Sequence, residues 1–354
     1  MSTNERPHGK ASLAVVVAVA TVATLSLTSG CATAVKPGPP PTFADAGSAP
    51  APGADAFPNW PVPPDEAERL LRSGKVEVRS EKHAGAGVTG AARFKVYWAD
   101  IDREFKVKWK PVPASGDGWN NSPRKELAGY RLQALVLDPH EWPIPTSEMR
   151  CLTEDDFAIE GRTVTPQLKG FDCELGVFSL WLEDVTVPDP LWDADRFRAD
   201  PLYAHYLSNL NVVTLLSKNR DGRKGNFLVS ADDSRPQYFA IDNGIAFSGL
   251  VYNYLVPNWH VVRLPALRAE SIARMRDLDR EDLDETLGVV AELGLDEDGV
   301  LRAREHSENW DPRKGVRLRA DGIQFGLTAS EIDGVYERLQ DLLADVDAGK
   351  VATF

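Results

Sequence analysis

Cysteine is scarce in this chain, three among 354 residues, and no two of them form a C-x-x-C, which argues against thiol redox chemistry. The six histidines (His8, His83, His140, His205, His260 and His306) are scattered without ligand spacing, which argues against a zinc site. No G-x-S-x-G elbow and no internal repeat is present. Basic charge is also in short supply. Forty Lys and Arg against 53 Asp and Glu leave a net charge of −13, where a nucleic-acid partner would call for a basic face.

The content that remains is 43% hydrophobic and 26% charged, enough for one domain of about 280 residues once an N-terminal extension is set aside. Arg6 and Lys10 give a basic start, and Ala11 to Leu27 is a nearly uninterrupted apolar run. Leu27-Thr28-Ser29-Gly30-Cys31 resembles a bacterial lipoprotein cleavage site, with Thr28 where Leu is commoner. Residues 1–31 are therefore expected to be a signal peptide, with Cys31 lipidated and the mature protein exported and anchored to the cell envelope of a bacterium. An uncleaved transmembrane anchor is the other reading of such a run, and it too puts the domain outside the cytoplasm. Residues 32–64, rich in Pro, Ala and Gly, read as a tether. Asp65 to Gly74 reads as a short helix opening the folded domain.

The most informative stretch is Asn219-Arg220-Asp221-Gly222-Arg223-Lys224-Gly225-Asn226, followed downstream by Asp242-Asn243-Gly244. Between them, Phe227-Leu228-Val229, a cluster of turn formers from Ala231 to Pro236, and Tyr238-Phe239-Ala240-Ile241 describe a hairpin. Asn226 then enters one strand as Asp242 leaves the other. Antiparallel pairing brings an amide oxygen and a carboxylate together, as hard oxygen ligands of Mg²⁺ should be. Asp221 precedes Asn226 by the D-x-x-x-x-N spacing of a kinase catalytic loop, where the Asp accepts a hydroxyl proton and the Asn holds metal.

On these residues, together with Trp109-Lys110-Pro111 and Arg124-Lys125-Glu126, the chain resembles the protein-kinase-like superfamily over roughly residues 75 to 345. The resemblance is to its atypical branches: bacterial phosphatidylinositol 3-/4-kinase-like proteins, HipA-type kinases and secreted four-jointed-type kinases. It implies an α+β, bilobal fold for residues 65–354, with a small antiparallel-sheet N-lobe carrying one helix (about 65–183) and a mainly helical C-lobe (about 184–354). It also implies a Lys on a strand, a Glu on the next helix, a catalytic Asp and two metal-binding positions.

The residues upstream fit that pattern. Lys75 to Arg79 and Arg93 to Trp98 alternate like strands, and Gly85-Ala86-Gly87-Val88-Thr89-Gly90 between them matches G-x-G-x-x-G, so Gly85, Gly87 and Gly90 are candidate nucleotide-binding positions. A strand rather than a long helix follows, which excludes a Rossmann unit. Phe105 to Lys110 alternates strictly, with Phe105, Val107 and Trp109 on one face and Lys106, Lys108 and Lys110 on the other. The resemblance singles out Lys110, with Lys108 as its fallback. Asn121 or Ser122 is expected to cap a helix with Pro123 at its first position, and Glu126 on that helix would pair Lys110 and aim it at nucleotide phosphates.

Cys151 and Cys173 remain once Cys31 carries lipid, an even pair in an oxidising compartment and so a candidate disulfide. Leu267 to Leu278, Asp282 to Leu293 and Thr328 to Leu343 carry helical spacing, with Ser330 as a candidate cap for the last. The expected function is an exported, membrane-tethered phosphotransferase that uses ATP and Mg²⁺ or Mn²⁺ on an unknown hydroxyl acceptor, which leaves protein, lipid and glycan open. Asp221, Lys110 and Glu126 are its catalytic candidates and Asn226 and Asp242 its metal ligands. A pseudokinase-like scaffold, or nucleotidyl transfer on the same fold, is the alternative.

Overall fold

The computed structural model describes residues 57–83, 90–118, 121–221, 224–247 and 264–354. Cys31, Gly85 and Gly87 lie outside them.

Helix α1 (Pro64–Ser73) precedes strands β1 (Val76–His83), β2 (Ala92–Trp98) and β3 (Arg103–Pro111). Helix α2 (Pro123–Val136) follows, then β4 (Ser147–Leu152) and β5 (Glu174–Leu180). The five strands form one antiparallel sheet in the order β1-β2-β3-β5-β4. Period-two alternation decides what each face does. Phe94, Val96, Trp98, Phe105, Val107 and Trp109 all turn to one side, where they pack with Leu70 and Leu71 of α1. Across from them, Met149 of β4 and Val177 of β5 meet Leu127 and Leu132 of α2. Gly176 lets β5 pass close to this core, since a Cβ there would stand 2.5 Å from the Trp109 ring.

Ordered packing begins before residue 65. Trp60 and Val62, in the stretch the composition assigns to the tether, are buried in this first core, and Trp60 meets Phe239 edge to face at 5.2 Å. The Asn59 side chain donates to the carbonyls of Glu183 and Asp184, and its own carbonyl accepts the Glu183 N–H. The N-terminal segment thus lies against the connection that leaves the sheet after β5.

That connection leads to β6 (Val185–Thr186), α3 (Ala194–Ala199) and α4 (Pro201–Leu216). Then come β7 (Phe227–Ser230) and β8 (Tyr238–Ala240), which complete a three-stranded sheet in the order β6-β7-β8. Asp200 caps α4 by accepting from the N–H groups of Leu202 and Tyr203, with Pro201 at the first helical position. The remainder is β9 (Ala266–Leu267), α5 (Ala269–Asp277), α6 (Arg280–Leu287), β10 (Ala291–Leu295), β11 (Leu301–Ala303), β12 (Val316–Arg319), β13 (Gly322–Phe325), α7 (Ala329–Asp347) and β14 (Ala352–Thr353). Among the described residues no helix is long and apolar enough to cross a membrane.

The class is α+β, and two details correct the sequence reading. Helical spacing predicts a helix from Asp282 on to Leu293, but α6 ends at Leu287 and Leu293 lies in β10, within a four-stranded antiparallel sheet ordered β11-β10-β13-β12. The region expected to be mainly helical therefore carries a sheet of its own. The cap of α7 is Thr328 rather than Ser330: its side chain accepts from the Glu331 N–H while the Glu331 carboxylate accepts from the Thr328 N–H, a reciprocal box.

Cys151 on β4 and Cys173 just ahead of β5 lie at disulfide distance, with Cα atoms 5.6 Å apart and a sequence separation of 22. Closing a loop of that size is expected to stabilise the domain by about 3 kcal/mol. Urea midpoints with and without reductant check this, and equal midpoints would show the bond contributes nothing.

A buried charge cluster fixes the middle of α2. Arg131 donates to Glu68 of α1 and to Glu148 of β4. One guanidinium serves two carboxylates, and burial pushes Glu148, the more deeply buried of the two, up to about 7 against an ordinary value of 4.5. The folded chain then holds a proton that the unfolded chain releases between those two values, so stability falls as pH rises through that window. Glu148→Gln is expected to flatten the decline in melting temperature between acid and neutral pH; an identical pH profile for the variant would refute the assignment.

Candidate active site

Four chain segments converge at the end of the first sheet. Lys110, on β3 and 2% exposed, places its ammonium 2.5 Å from Glu126 Oε1 on α2 and 2.6 Å from Asp242 Oδ1 just after β8. Alternation along β3 turns Lys110 to the α2 side of the sheet, the face it shares with its cross-strand partner Val177. Glu126 reaches it from the first turn of α2. Pro123 opens that helix next to Ser122, whose side chain makes no capping bond, and the Ser122 N–H is instead satisfied by the Gly244 carbonyl at 3.2 Å.

Glu126 is held at both oxygens, since its Oε2 accepts the Asn243 N–H at 2.6 Å. Asn243 Oδ1 in turn accepts from the Asn219 side chain at 2.7 Å, and Asn219 Oδ1 accepts the Asp221 N–H at 3.1 Å. A continuous set of bonds therefore runs from Lys110 through Glu126, Asn243 and Asn219 to Asp221. Asn219 and Asn243 were given no role on sequence grounds; their place inside the two motifs is the signal that points to them.

The β7-β8 hairpin brings Asn226 and Asp242 to its open end. Phe227 pairs with Ala240, and the Ile241 N–H bonds the Asn226 carbonyl at 2.9 Å. The Asn226 amide nitrogen donates to the Asp221 carbonyl at 3.1 Å, which turns its amide oxygen the other way. Asp242 sits at φ +66°, a left-handed conformation that costs a non-glycine residue about 1 kcal/mol and turns the chain sharply out of β8. At Gly244 a Cβ would stand 2.8 Å from the Lys110 ammonium, so a side chain there would crowd the ion pair.

The electrostatics follow from burial and pairing. Burial pulls Lys110 toward its neutral form, but Glu126 and then Asp242 outweigh it and hold the ammonium well above the ordinary lysine value. Burial raises Asp242, while Lys110 and then Lys108, 3.7 Å away, overrule it and keep the carboxyl well below the usual range. Lys108 thus stands near Asp242, whereas Lys110 takes Glu126. Gly90 is described, at φ +69°.

A cavity of about 610 Å³ opens beside this cluster. Glu126, Asp242 and Asn243 line one end, Lys106 and Lys108 its ceiling, and Ile144, Leu182, Val185 and Leu228 give apolar walls. No hydrogen bond among the described residues engages the Leu182 N–H or carbonyl, and Leu182 lies in the connection after β5.

One carboxylate and one amide oxygen suit Mg²⁺ or Mn²⁺, which take few protein ligands and complete their shell with phosphate oxygens and water. Among the described residues no cluster of three or more His, Cys, Asp or Glu side chains is placed to hold a metal without such a partner. No family model matches the chain, and no curated protein matches it in sequence.

Proposed function

We propose that this chain is an exported, membrane-tethered phosphotransferase of protein-kinase-like, bilobal architecture that uses ATP and Mg²⁺ or Mn²⁺ on a hydroxyl acceptor. The observation that carries the reading is the triad of buried Lys110 and Glu126 with half-buried Asp242: a Lys on the third strand, a Glu on the following helix and an Asp at the end of a hairpin. Phosphoryl transfer in kinases needs these side-chain types in these places.

In this reading the apolar walls take the base, with the Leu182 N–H and carbonyl free to meet its polar edge, and Lys110 is aimed at phosphate oxygens. Asp221, in a loop fixed through its backbone, would orient an acceptor hydroxyl and take its proton. Asn226 and Asp242 would hold the ion, which neutralises charge on the transferring group when bound. Positioning and charge neutralisation supply most of the rate gain in such a site. Cys31 would carry the lipid that ties the domain to the envelope, with a protein, lipid headgroup or glycan as acceptor.

Thermal-shift titration of the full chain with ATP tests the reading. Melting should rise with ATP plus Mg²⁺ or Mn²⁺, and Asp242→Ala should remove the metal dependence by deleting the charged ligand. An unchanged melting temperature at saturating nucleotide and metal would sink it.

A further inference from the structure

The face of the first sheet that forms the ceiling of the cavity is cationic. Residues directly opposite one another on neighbouring strands share a face. Lys82 is paired with Arg93, Arg93 with Lys108, and Lys95 with Lys106. Along β3, Lys106, Lys108 and Lys110 follow one another at alternate positions of the same face. Directly opposed like charges destabilise a sheet, and three such pairs occur in a chain whose acidic residues outnumber its basic ones by 53 to 40. Acidic neighbours compensate part of the set: Glu104 pairs with Lys95, and Asp242 sits beside Lys110 and Lys108. Lys82, Arg93 and Lys106 have no ion-pair partner among the described residues. Arg93 stands 5.3 Å over the ring of Trp181, and Trp181, Lys106 and Lys108 all line the cavity.

We propose that this ceiling binds an oligophosphate chain longer than a triphosphate, laid from Lys110 past Lys108 toward Arg93 and Lys106. The proposal rests on the cavity being the phosphate site described above, and it names the ligand class. Lys106 and Lys110 lie four positions apart on β3, a span of about 14 Å that a triphosphate held at Lys110 does not cover. A linear oligophosphate carries charge on every unit and is thin enough to lie in the cavity, so it matches closely spaced cations that a single phosphate group would leave unpaired. Inorganic polyphosphate and a nucleoside polyphosphate share this chemistry.

The test is calorimetric titration of the detergent-solubilised full chain with inorganic tripolyphosphate, a longer linear polyphosphate, a nucleoside tetraphosphate, and poly-glutamate as a charge control. The double variant Arg93→Glu, Lys106→Glu is titrated in parallel. The longer chain, or the tetraphosphate, should bind at least about tenfold more tightly than tripolyphosphate. The double variant should lose that advantage, so that the long and the short ligand bind it within about threefold of each other. Tighter binding of the tetraphosphate assigns the nucleoside source, and tighter binding of linear polyphosphate the inorganic one. Equal affinity for the short and long ligands, an unchanged double variant with unchanged melting, or equally tight binding of poly-glutamate would overturn the proposal. Loss of the ATP and metal response with the length dependence intact would refute the nucleotide reading alone, and the reverse result would refute this one alone.

Discussion

Asp221→Asn is expected to lower phosphoryl transfer by roughly a thousandfold while nucleotide affinity stays within about threefold of wild type. The separation follows from how the loop is held. The Asp221 N–H is fixed by the Asn219 side chain and its carbonyl by the Asn226 amide, and both bonds survive the substitution. An interaction with the reacting hydroxyl matters chiefly in the transition state, so its loss appears in turnover rather than in binding. The assay is labelled-ATP transfer with envelope extract as a source of acceptors and autophosphorylation as an internal control. If wild type binds nucleotide and transfers nothing, and the variant behaves identically, the domain is a scaffold.

Lys110→Met should be the most destabilising substitution in the site, by about 3–5 kcal/mol, because it leaves the Glu126 carboxylate buried without its cation. Lys108 remains beside Asp242, 3.7 Å from its carboxylate. Adding Glu126→Gln should restore much of the loss, since a neutral amide still accepts the Asn243 N–H without demanding a counter-charge. Urea midpoints of the single and double variants decide this. A single variant as stable as wild type would show that the pair is not held as described. Nucleotide affinity should drop in both, because an ammonium aimed at phosphates acts already in the ground state.

Local patterns made the first sheet and the hairpin legible. β1, β2 and β3 alternate at period two, the β7-β8 hairpin shows as two short apolar runs about a cluster of turn formers, spacing points to Asp221, Asn226 and Asp242, and the resemblance singles out Lys110 and Glu126. What stayed hidden depends on tertiary surroundings. Helix α4 is buried nearly all round, so it shows no polar face to set its period. The β10 to β13 sheet was masked because Leu283, Leu287 and Val290 keep helical spacing past the true end of α6 at Leu287. Asp321-Gly322, where the Ala320-Asp321 turn leads from β12 into β13, is a hairpin signal that weighs against a mainly helical region. The cationic ceiling needed strand register, because Arg93 and Lys108 are neighbours only across β2 and β3.

Helix α2 is anchored at its start as well as its middle. Arg124 forks onto both oxygens of Glu331 and bonds Asp117, and Lys125 approaches Glu331 at 3.7 Å, so the turn that carries Glu126 is gripped by the first turn of α7. Arg124 and Glu331 are separated by 207 residues of sequence. A contact of such long range cannot form until the chain that carries Glu331 has been made. A nascent chain that has emerged through Gly244 holds every motif residue and still lacks the clamp on the helix that delivers Glu126. A chain truncated ahead of Ala329 would therefore keep the full motif set with a loosened α2.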